Sequence, residues 1–405
     1  MKNEIEDLVD KLRPILGSKV DRLLLASRVT DPASAQIYRS AILALAAKHL
    51  GNLDEKILLP PPTKEQATSE YQPLGTVVYN GLELFPFGLH ESEWTSHTAV
   101  LGRSGSGKTN AVRILLQSLH EKGKPYLVVD WKQDYFPSDA LWVTAGHDLE
   151  FNPLVPPVPL TGDAYRDYLK GVVELFVQAY FRDMQLLTVE GLRNLLLEKL
   201  DALCTKHGTY TGSGTYPTFR AIQDEIQTTK SKVIAYARDS LLSVLQAIGF
   251  GTTNRVFNTT RSLDISKLLE NNVVLKLHSL GSTADKAFLC MSLVNSIYTY
   301  RLQQPSPEFK HAIIAEEYHN MDSPYMRYVF RMIRSLGEAI VLCDQHPSKL
   351  TVETLGNTYS VICFNLRHQA DVQAASRAML LPQDQWDALG RLEVGQAIVK
   401  LQGRY

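Results

Sequence analysis

The pattern G-x-x-x-x-G-K-[ST] occurs at Gly102–Thr109 with every fixed position matched. Glycines let the backbone curl so that successive N–H groups point at one anion. The lysine contacts the outer phosphates and the threonine hydroxyl offers a ligand to Mg²⁺. We therefore predict a phosphate loop that binds a nucleoside triphosphate. Its residues are Gly102, Arg103, Ser104, Gly105, Ser106, Gly107, Lys108, Thr109 and Asn110.

Two adjacent acids, Glu316 and Glu317, follow an apolar stretch at residues 312–315. A strand that ends in two carboxylates meets the chemical requirement of a Walker B element. The first acid can bind Mg²⁺, and the second can polarise a water molecule toward the γ-phosphate. Paired acids also occur in solvated loops, but the phosphate loop upstream favours the catalytic interpretation. We predict that Glu316 holds the metal and that Glu317 orients the water.

A third apolar stretch, residues 340–343, leads to Gln345. A neutral amide can donate and accept, so Gln345 could bond to the γ-phosphate or the attacking water. A polar turn set by Pro347 explains this spacing equally well. Asp130 and Asp134 follow another apolar stretch, where forming a turn is at least as good an explanation as binding nucleotide.

The elements that must carry these side chains alternate between strands and helices. Residues 98–101 form the predicted strand that enters the phosphate loop, and 110–121 the helix that leaves it. Unbroken apolar strands between helices indicate a mainly parallel sheet covered on both faces, which is an α/β fold. The further predicted strands are residues 126–130, 140–144, 273–277, 312–315, 340–343, 361–364 and 397–401.

The chain is predicted to comprise two parts. Residues 1–72 form a helical N-terminal module and a linker, because helical periodicity up to residue 50 gives way to Pro60-Pro61-Pro62. Residues 73–405 form the nucleotide-binding domain, which starts with a hairpin that turns at Asn80-Gly81. Within this domain, residues 155–263 are predicted to be a mainly helical insertion.

The composition favours an intracellular protein. The 405 residues contain 42 Lys and Arg against 43 Asp and Glu, so net charge neither proves nor excludes a DNA partner. The N-terminus is charged and no apolar run reaches the length of a membrane span, so we expect a soluble, cytoplasmic protein with no integral membrane segment. The cysteines lack C-x-x-C spacing and are predicted to be reduced and buried; they are Cys204, Cys290, Cys343 and Cys363.

Taken together, these motifs resemble the HerA/FtsK superfamily of P-loop ATPases, and HerA-like ATPases in particular. The resemblance covers roughly residues 75–405. It implies a RecA-like P-loop NTPase core, hydrolysis of ATP with Mg²⁺, a hexameric ring and translocation of double-stranded DNA, often with a partner nuclease or effector. The motifs that carry it are Gly102–Thr109, Asp130–Tyr135, Phe151–Leu154, Glu316–Asn320, Arg334–Gly337 and Gln345–Ser348.

The sequence departs from this family at two places. HerA-like proteins usually begin with a small β-barrel, whereas residues 1–50 are predicted to be helical. The family also carries an arginine just before the phosphate-loop strand, but this chain has no arginine between Arg39 and Arg103. Arg334, which matches a family arginine, is the remaining candidate for contacting the γ-phosphate of its own or a neighbouring subunit. A charge at a helix end is its alternative explanation.

Three functions therefore stay open at the level of sequence. The leading one is a ring-forming DNA translocase or helicase that acts with a partner. A conjugation or secretion ATPase has a similar core but works at a membrane complex. A third is a regulatory NTPase that uses its nucleotide state to assemble a complex, for example in antiviral defence.

Overall fold

The computed structural model describes residues 4–51, 57, 59–69, 73–94, 96–229, 235–401 and 403–404. The chain divides into two compact units, one made of residues 1–90 with 403–405 and the other of residues 91–402. Residues 52–56, 58 and 70–72 of the predicted linker lie outside the described residues. No helix within the described ranges is long and apolar enough to cross a membrane.

The first unit is a small bundle of helices with a hairpin. Its helices are α1 (Glu4–Leu16), α2 (Ser18–Val29), α3 (Pro32–His49) and α4 (Lys64–Ala67). Helix α3 starts after Asp31, whose carboxylate accepts hydrogen bonds from the N–H groups of Ala33 and Ser34. Helices α1, α2 and α3 share one apolar core. It contains Leu8, Val9 and Leu12 of α1 together with Val20, Ile42, Ala46 and Leu50.

The predicted hairpin is confirmed as β1 (Gly75–Tyr79) and β2 (Leu82–Phe87). Asn80 and Gly81 both have positive φ, 52° and 77°, as a tight hairpin turn requires. The Tyr79 hydroxyl donates to the Lys11 carbonyl at 2.7 Å, and the Asn80 amide donates to the His49 carbonyl at 2.7 Å. The hairpin is thereby bonded to α1 and α3, and it belongs to the first unit. The sequence-based boundary after residue 72 would instead assign it to the second part.

The second unit contains an eight-stranded sheet, counted over the described residues, in the order β10-β9-β3-β8-β7-β4-β6-β5. Every neighbouring pair is parallel except β9 and β10. The predicted mainly parallel sheet is confirmed. Its strands are β3 (Thr98–Leu101), β4 (Tyr126–Asp130), β5 (Leu141–Thr144), β6 (Val273–Lys276), β7 (His311–Glu316), β8 (Glu338–Asp344), β9 (Ser360–Phe364) and β10 (Ala397–Leu401).

Helices surround this sheet, and five of them, α7 to α11, fall in the predicted helical span 155–263. The four cysteines are buried and unpaired, as expected. The helices of this unit are α5 (Glu91–Trp94), α6 (Lys108–Glu121), α7 (Gly162–Tyr180), α8 (Leu186–His207), α9 (Phe219–Gln227), α10 (Ala235–Ile248), α11 (Gly251–Phe257), α12 (Ile265–Glu270), α13 (Thr283–Gln303), α14 (Pro324–Ile333), α15 (Val352–Gly356), α16 (Gln369–Ala378) and α17 (Ala388–Arg391).

A buried histidine joins the amino ends of β3 and β8 to α14. His97 donates from Nε2 to the Phe330 carbonyl at 2.7 Å, and its Nδ1 accepts from the Ile340 N–H at 3.0 Å. Because one ring nitrogen accepts, the imidazole must be neutral in the folded protein. Burial, together with the nearby charge of Arg334, lowers the pKa of His97 to about 4.

We predict that His97 makes the second unit sensitive to acid. The pKa is lower in the folded state than in the unfolded state, so the stabilisation is complete above pH 6.5 and is lost as pH falls toward about 4. The full shift corresponds to about 3 kcal/mol in the free energy of unfolding. Denaturant titrations at several pH values should show this loss, and His97→Gln should reduce it. An equal pH dependence in both proteins would contradict the assignment.

Candidate nucleotide-binding and hydrolysis site

The phosphate loop connects the buried strand β3 to the first turn of α6. Its backbone relies on glycine, since Gly102, Gly105 and Gly107 have φ values of 147°, 71° and 121°. A Cβ on Gly102 would lie 2.7 Å from the Cβ of Phe364 in β9. The loop therefore needs glycine at this position both for its conformation and for its close approach to the neighbouring strand.

The side chains of the loop are bonded to the loop itself and to the segment after β9. Arg103 donates from Nε to Asn365 Oδ1 at 2.7 Å, and the Ser106 hydroxyl donates to the Arg103 carbonyl at 2.8 Å. Lys108 donates from Nζ to the carbonyls of Gly102 and Arg103 at 2.5 and 3.1 Å. Burial lowers the pKa of Lys108. A desolvated ammonium of this kind gains strongly from an anion in the loop.

Glu316 is the last residue of β7 and is largely buried. Its Oε2 has no hydrogen-bond partner within the described part of the chain. Burial raises the pKa of Glu316 to about 7, and the carboxylates of Asp130 and Asp134 act in the same direction, while the Tyr135 hydroxyl and Lys132 oppose them. A buried carboxylate with a free oxygen suits a hard divalent cation. Glu316 therefore fits the metal-binding role predicted for it.

Glu317, the next residue, leaves the strand in a left-handed backbone conformation with φ of 48°. This conformation is costly for a residue with a side chain and occurs preferentially at functional sites. The Glu317 carboxylate forms an ion pair with Lys132 and accepts from Gln345 Nε2 at 2.6 Å. Burial alone would raise the pKa of Glu317, but the Lys132 ammonium and the Gln345 amide keep it below its ordinary value.

The end of β8 brings Gln345 and the buried Asp344 to the same place. Asp344 accepts from the N–H of His319 at 2.8 Å, from His319 Nδ1 at 3.0 Å and from the N–H of His346 at 2.8 Å. Ligand atoms of Glu317, His319 and Asp344 lie within 4.8 Å of one another. Since the hydrogen bonds account for the position of His319, it orders the turn after β7.

Asp130 has the turn-forming role that the sequence left open. Its Oδ1 accepts from the N–H groups of Lys132, Gln133 and Asp134 at 3.1, 2.8 and 3.2 Å. The carboxylate thus fixes the backbone of the turn after β4, next to β7 in the sheet. This turn holds the backbone from which the Lys132 side chain reaches Glu317.

Arg334 lies at the other edge of the sheet. Arg334 precedes β8 and so lies at the amino end of that strand. The phosphate loop follows β3, whose last residue pairs with Asp344 at the carboxyl end of β8. The seven residues of β8 span on the order of 20 Å. The strand direction therefore places Arg334 away from the phosphate loop of its own subunit and argues against contact with the γ-phosphate bound there. Contact with the nucleotide of a neighbouring subunit stays a prediction.

Three residues of the site were not assigned a role from the sequence. Lys132 and Asp344 lie at the carboxyl ends of strands next to β7, a position that marks polar residues as candidates once strand order is known. Arg182, which follows α7, donates to the carbonyls of His319 and Asn320 at 3.5 and 2.8 Å. The helical insertion is thereby bonded to the turn that carries Glu317, and no sequence spacing indicates this contact.

Comparison with known proteins agrees with this geometry. The family model described as the central domain of helicase HerA matches residues 73–156. The DNA double-strand break repair helicase HerA of Saccharolobus solfataricus is 21% identical over 348 residues, which are 80% of this chain and 65% of that protein. This chain thus spans slightly under two thirds of the length of that relative.

Solved structures with the same fold extend the comparison. VirB4 of Thermoanaerobacter pseudethanolicus has a TM-score of 0.62 at 14% identity, covering 82% of this chain and 93% of that one. The unbound bacterial conjugative coupling protein TrwB has a TM-score of 0.59 at 13% identity, covering 86% and 92%. Another TrwB structure, with a TM-score of 0.56, is a complex with ADP and Mg²⁺. The chain has a RecA-like P-loop NTPase fold, which it shares with VirB4 and TrwB. The resemblance predicted from its motifs is confirmed.

The contact of Gly102 with β9 gives a test of the phosphate loop. We expect Gly102→Ala to weaken nucleotide binding about tenfold or more, since strain of about 1–3 kcal/mol must be relieved by moving the loop. Titration with a fluorescent ATP analogue measures the affinity, and circular dichroism checks the fold. Gly356→Ala is the control, because a Cβ there has open space. Equal affinity of the Gly102→Ala variant and the wild type would contradict the proposed loop geometry.

Proposed function

We propose that this protein is an ATP-hydrolysing motor of the HerA/FtsK type that translocates double-stranded DNA as a ring, together with a partner nuclease or effector. The observation that carries the hydrolytic part is the meeting of Glu317 and Gln345 at the carboxyl edge of the sheet, beside the phosphate loop. The match to the HerA central domain and the HerA relative, named as a DNA repair helicase, support the DNA-directed part.

The residues divide the chemistry among them. The loop N–H groups and Lys108 bind the phosphates, and Thr109 and Glu316 would hold Mg²⁺, which neutralises charge on the outer phosphates when bound. Glu317 polarises the attacking water, with Gln345 fixing the orientation of its carboxylate. The TrwB complex with ADP and Mg²⁺ supports a nucleotide and Mg²⁺ as the ligands of this fold.

Lys108→Ala and Glu317→Gln separate binding from hydrolysis. We expect Lys108→Ala to lose tight nucleotide binding, because the loop loses its ammonium. We expect Glu317→Gln to bind ATP and to hydrolyse it slower by several orders of magnitude, since only the carboxylate is lost. Steady-state phosphate release and equilibrium binding measure the two effects. Normal hydrolysis by Glu317→Gln, with an inactive Glu316→Gln, would reverse the roles of the two acids.

A ring of subunits would supply the positive charge that one chain lacks, both for DNA and for the γ-phosphate. The chain is nearly neutral, so several subunits would be needed to line a channel with enough positive charge for DNA. Arg334 is exposed at the edge away from its own phosphate loop and is the candidate for neutralising a neighbour's γ-phosphate. A ring of six is the assembly that the family resemblance implies.

We expect Arg334→Ala to retain nucleotide binding and to lose most ATPase activity, by about a thousandfold if it acts as an arginine finger. Light scattering should report an assembly near six subunits for this variant and for the wild type. Mixing Arg334→Ala with inactive Glu317→Gln subunits should restore part of the activity. A strictly monomeric wild type in the presence of nucleotide and DNA would remove both the ring and the trans-acting arginine.

A conjugation-type or secretion-type ATPase is the second candidate, supported by the high coverage of the VirB4 and TrwB folds. A regulatory NTPase of a defence complex is the third. Duplex DNA should stimulate ATP hydrolysis by the motor and should not affect a nucleotide switch. Co-fractionation of the protein with membranes, without stimulation by DNA, would favour the second candidate.

A further inference from the structure

One oxygen of the Glu317 carboxylate is engaged by two donors. Oε1 contacts the Lys132 ammonium and accepts from Gln345 Nε2 at 2.6 Å. The Glu317 side chain is only 15% exposed, so its charge is screened mainly by Lys132. A carboxylate that is neutralised in this way polarises water poorly. The conformation described here therefore holds the proposed catalytic group in an unreactive pairing.

The Lys132 side chain can move its ammonium while its backbone stays fixed. The Asp130 carboxylate fixes the turn by accepting from the N–H groups of Lys132, Gln133 and Asp134. The Lys132 side chain is 44% exposed, and Glu317 is the acid with which its ammonium forms an ion pair among the described residues. A long side chain on a fixed base can exchange partners through rotamer changes alone.

Backbone bonds at the end of β8 place the Lys132 ammonium near the phosphate loop. Its partner Glu317 accepts from Gln345, and the residue before Gln345, Asp344, accepts at its carbonyl from the Gly102 N–H of the loop at 3.2 Å. Lys108 of that loop is the second positive group of the site. Two positive groups of one site repel each other until an anion enters between them. A terminal phosphate carries more negative charge than one carboxylate and competes with Glu317 for the same ammonium.

We propose that Lys132 is a positioning residue that releases the Glu317 carboxylate only when a γ-phosphate is bound. It pairs with Glu317 when the loop holds no nucleotide or a diphosphate, and it transfers to the γ-phosphate of a bound triphosphate. Glu317, held by Gln345, is then free to orient the attacking water. The ligand sensed is the terminal phosphate of a nucleoside triphosphate. This inference rests on the proposed ATPase function and adds a step that prevents hydrolytic chemistry before the substrate is complete.

The exchange of Lys132 between Glu317 and the γ-phosphate can be measured, because it links the charge of Glu317 to the affinity for triphosphate. If Lys132 must leave Glu317 to reach the γ-phosphate, removing the Glu317 charge makes triphosphate binding tighter and leaves diphosphate binding unchanged. This gain in triphosphate affinity disappears when Lys132 is absent. Simple loss of repulsion between Glu317 and the γ-phosphate would also tighten binding, but it would persist without Lys132. A double-mutant cycle separates the two causes.

The experiment measures the affinities of β,γ-imido-ATP and ADP for the full chain with Mg²⁺, by calorimetry or a fluorescent competitor. The proteins are the wild type, Lys132→Met, Glu317→Gln and the double variant. We expect Glu317→Gln to bind the imido analogue about tenfold more tightly in the presence of Lys132, and less than about twofold in the Lys132→Met background. ADP affinities should agree across the four proteins.

Two controls guard against structural effects. Lys310 has the same side-chain exposure, 44%, and an ion pair with Glu308, but it precedes β7 at the opposite edge, so Lys310→Met should change neither affinity. Lys132→Arg should retain most of the coupling. Equal effects of Lys132→Met on both nucleotides, or a Glu317→Gln gain that persists without Lys132, would overturn the proposal while ATP hydrolysis by the wild type still stands. Failure of the wild type to bind or hydrolyse ATP would overturn the proposed function as well.

Discussion

Parallel alignment of four neighbouring strands is the constraint on which the candidate site depends. Strands β3, β8, β7 and β4 run in one direction, so their carboxyl ends meet at one edge of the sheet. The phosphate loop follows the first strand, and Gln345, Glu316 with Glu317, and the Asp130 turn follow the others. Adjacent strands lie about 4.8 Å apart, which brings side chains from distant parts of the sequence within contact distance.

The carboxyl edge of the sheet contains groups whose burial or backbone conformation reduces the stability of the fold. Glu316 is buried with a free oxygen, Glu317 adopts a left-handed backbone conformation, and Lys108 is desolvated against loop carbonyls. Each of these is unfavourable without a ligand, and together they suit Mg²⁺ with a chain of phosphates. The buried Asp130 and Asp344 offset part of the cost, since their carboxylates accept backbone N–H groups and order the turns.

The sequence predicted the parts of the site that are local. The phosphate loop and the two acids at the end of β7 depend on residues a few positions apart, where spacing alone indicates the geometry. The ion pair between Lys132 and Glu317 joins residues 185 positions apart, so it required the strand order. For Arg334, the sequence left open whether it contacts its own or a neighbour's nucleotide, because its motif does not reveal which edge of the sheet it occupies. Arg182 could not be predicted, since its partners are carbonyl groups that any residue supplies.

We propose that ATP hydrolysis at this edge drives movement along duplex DNA. Displacement of a triplex-forming oligonucleotide from a duplex measures this directly, because a translocating protein strips the third strand without separating the other two. The account predicts displacement that requires Mg²⁺ and ATP and is absent with β,γ-imido-ATP. Vigorous ATP hydrolysis in the presence of the same duplex, with the third strand left in place, would contradict it.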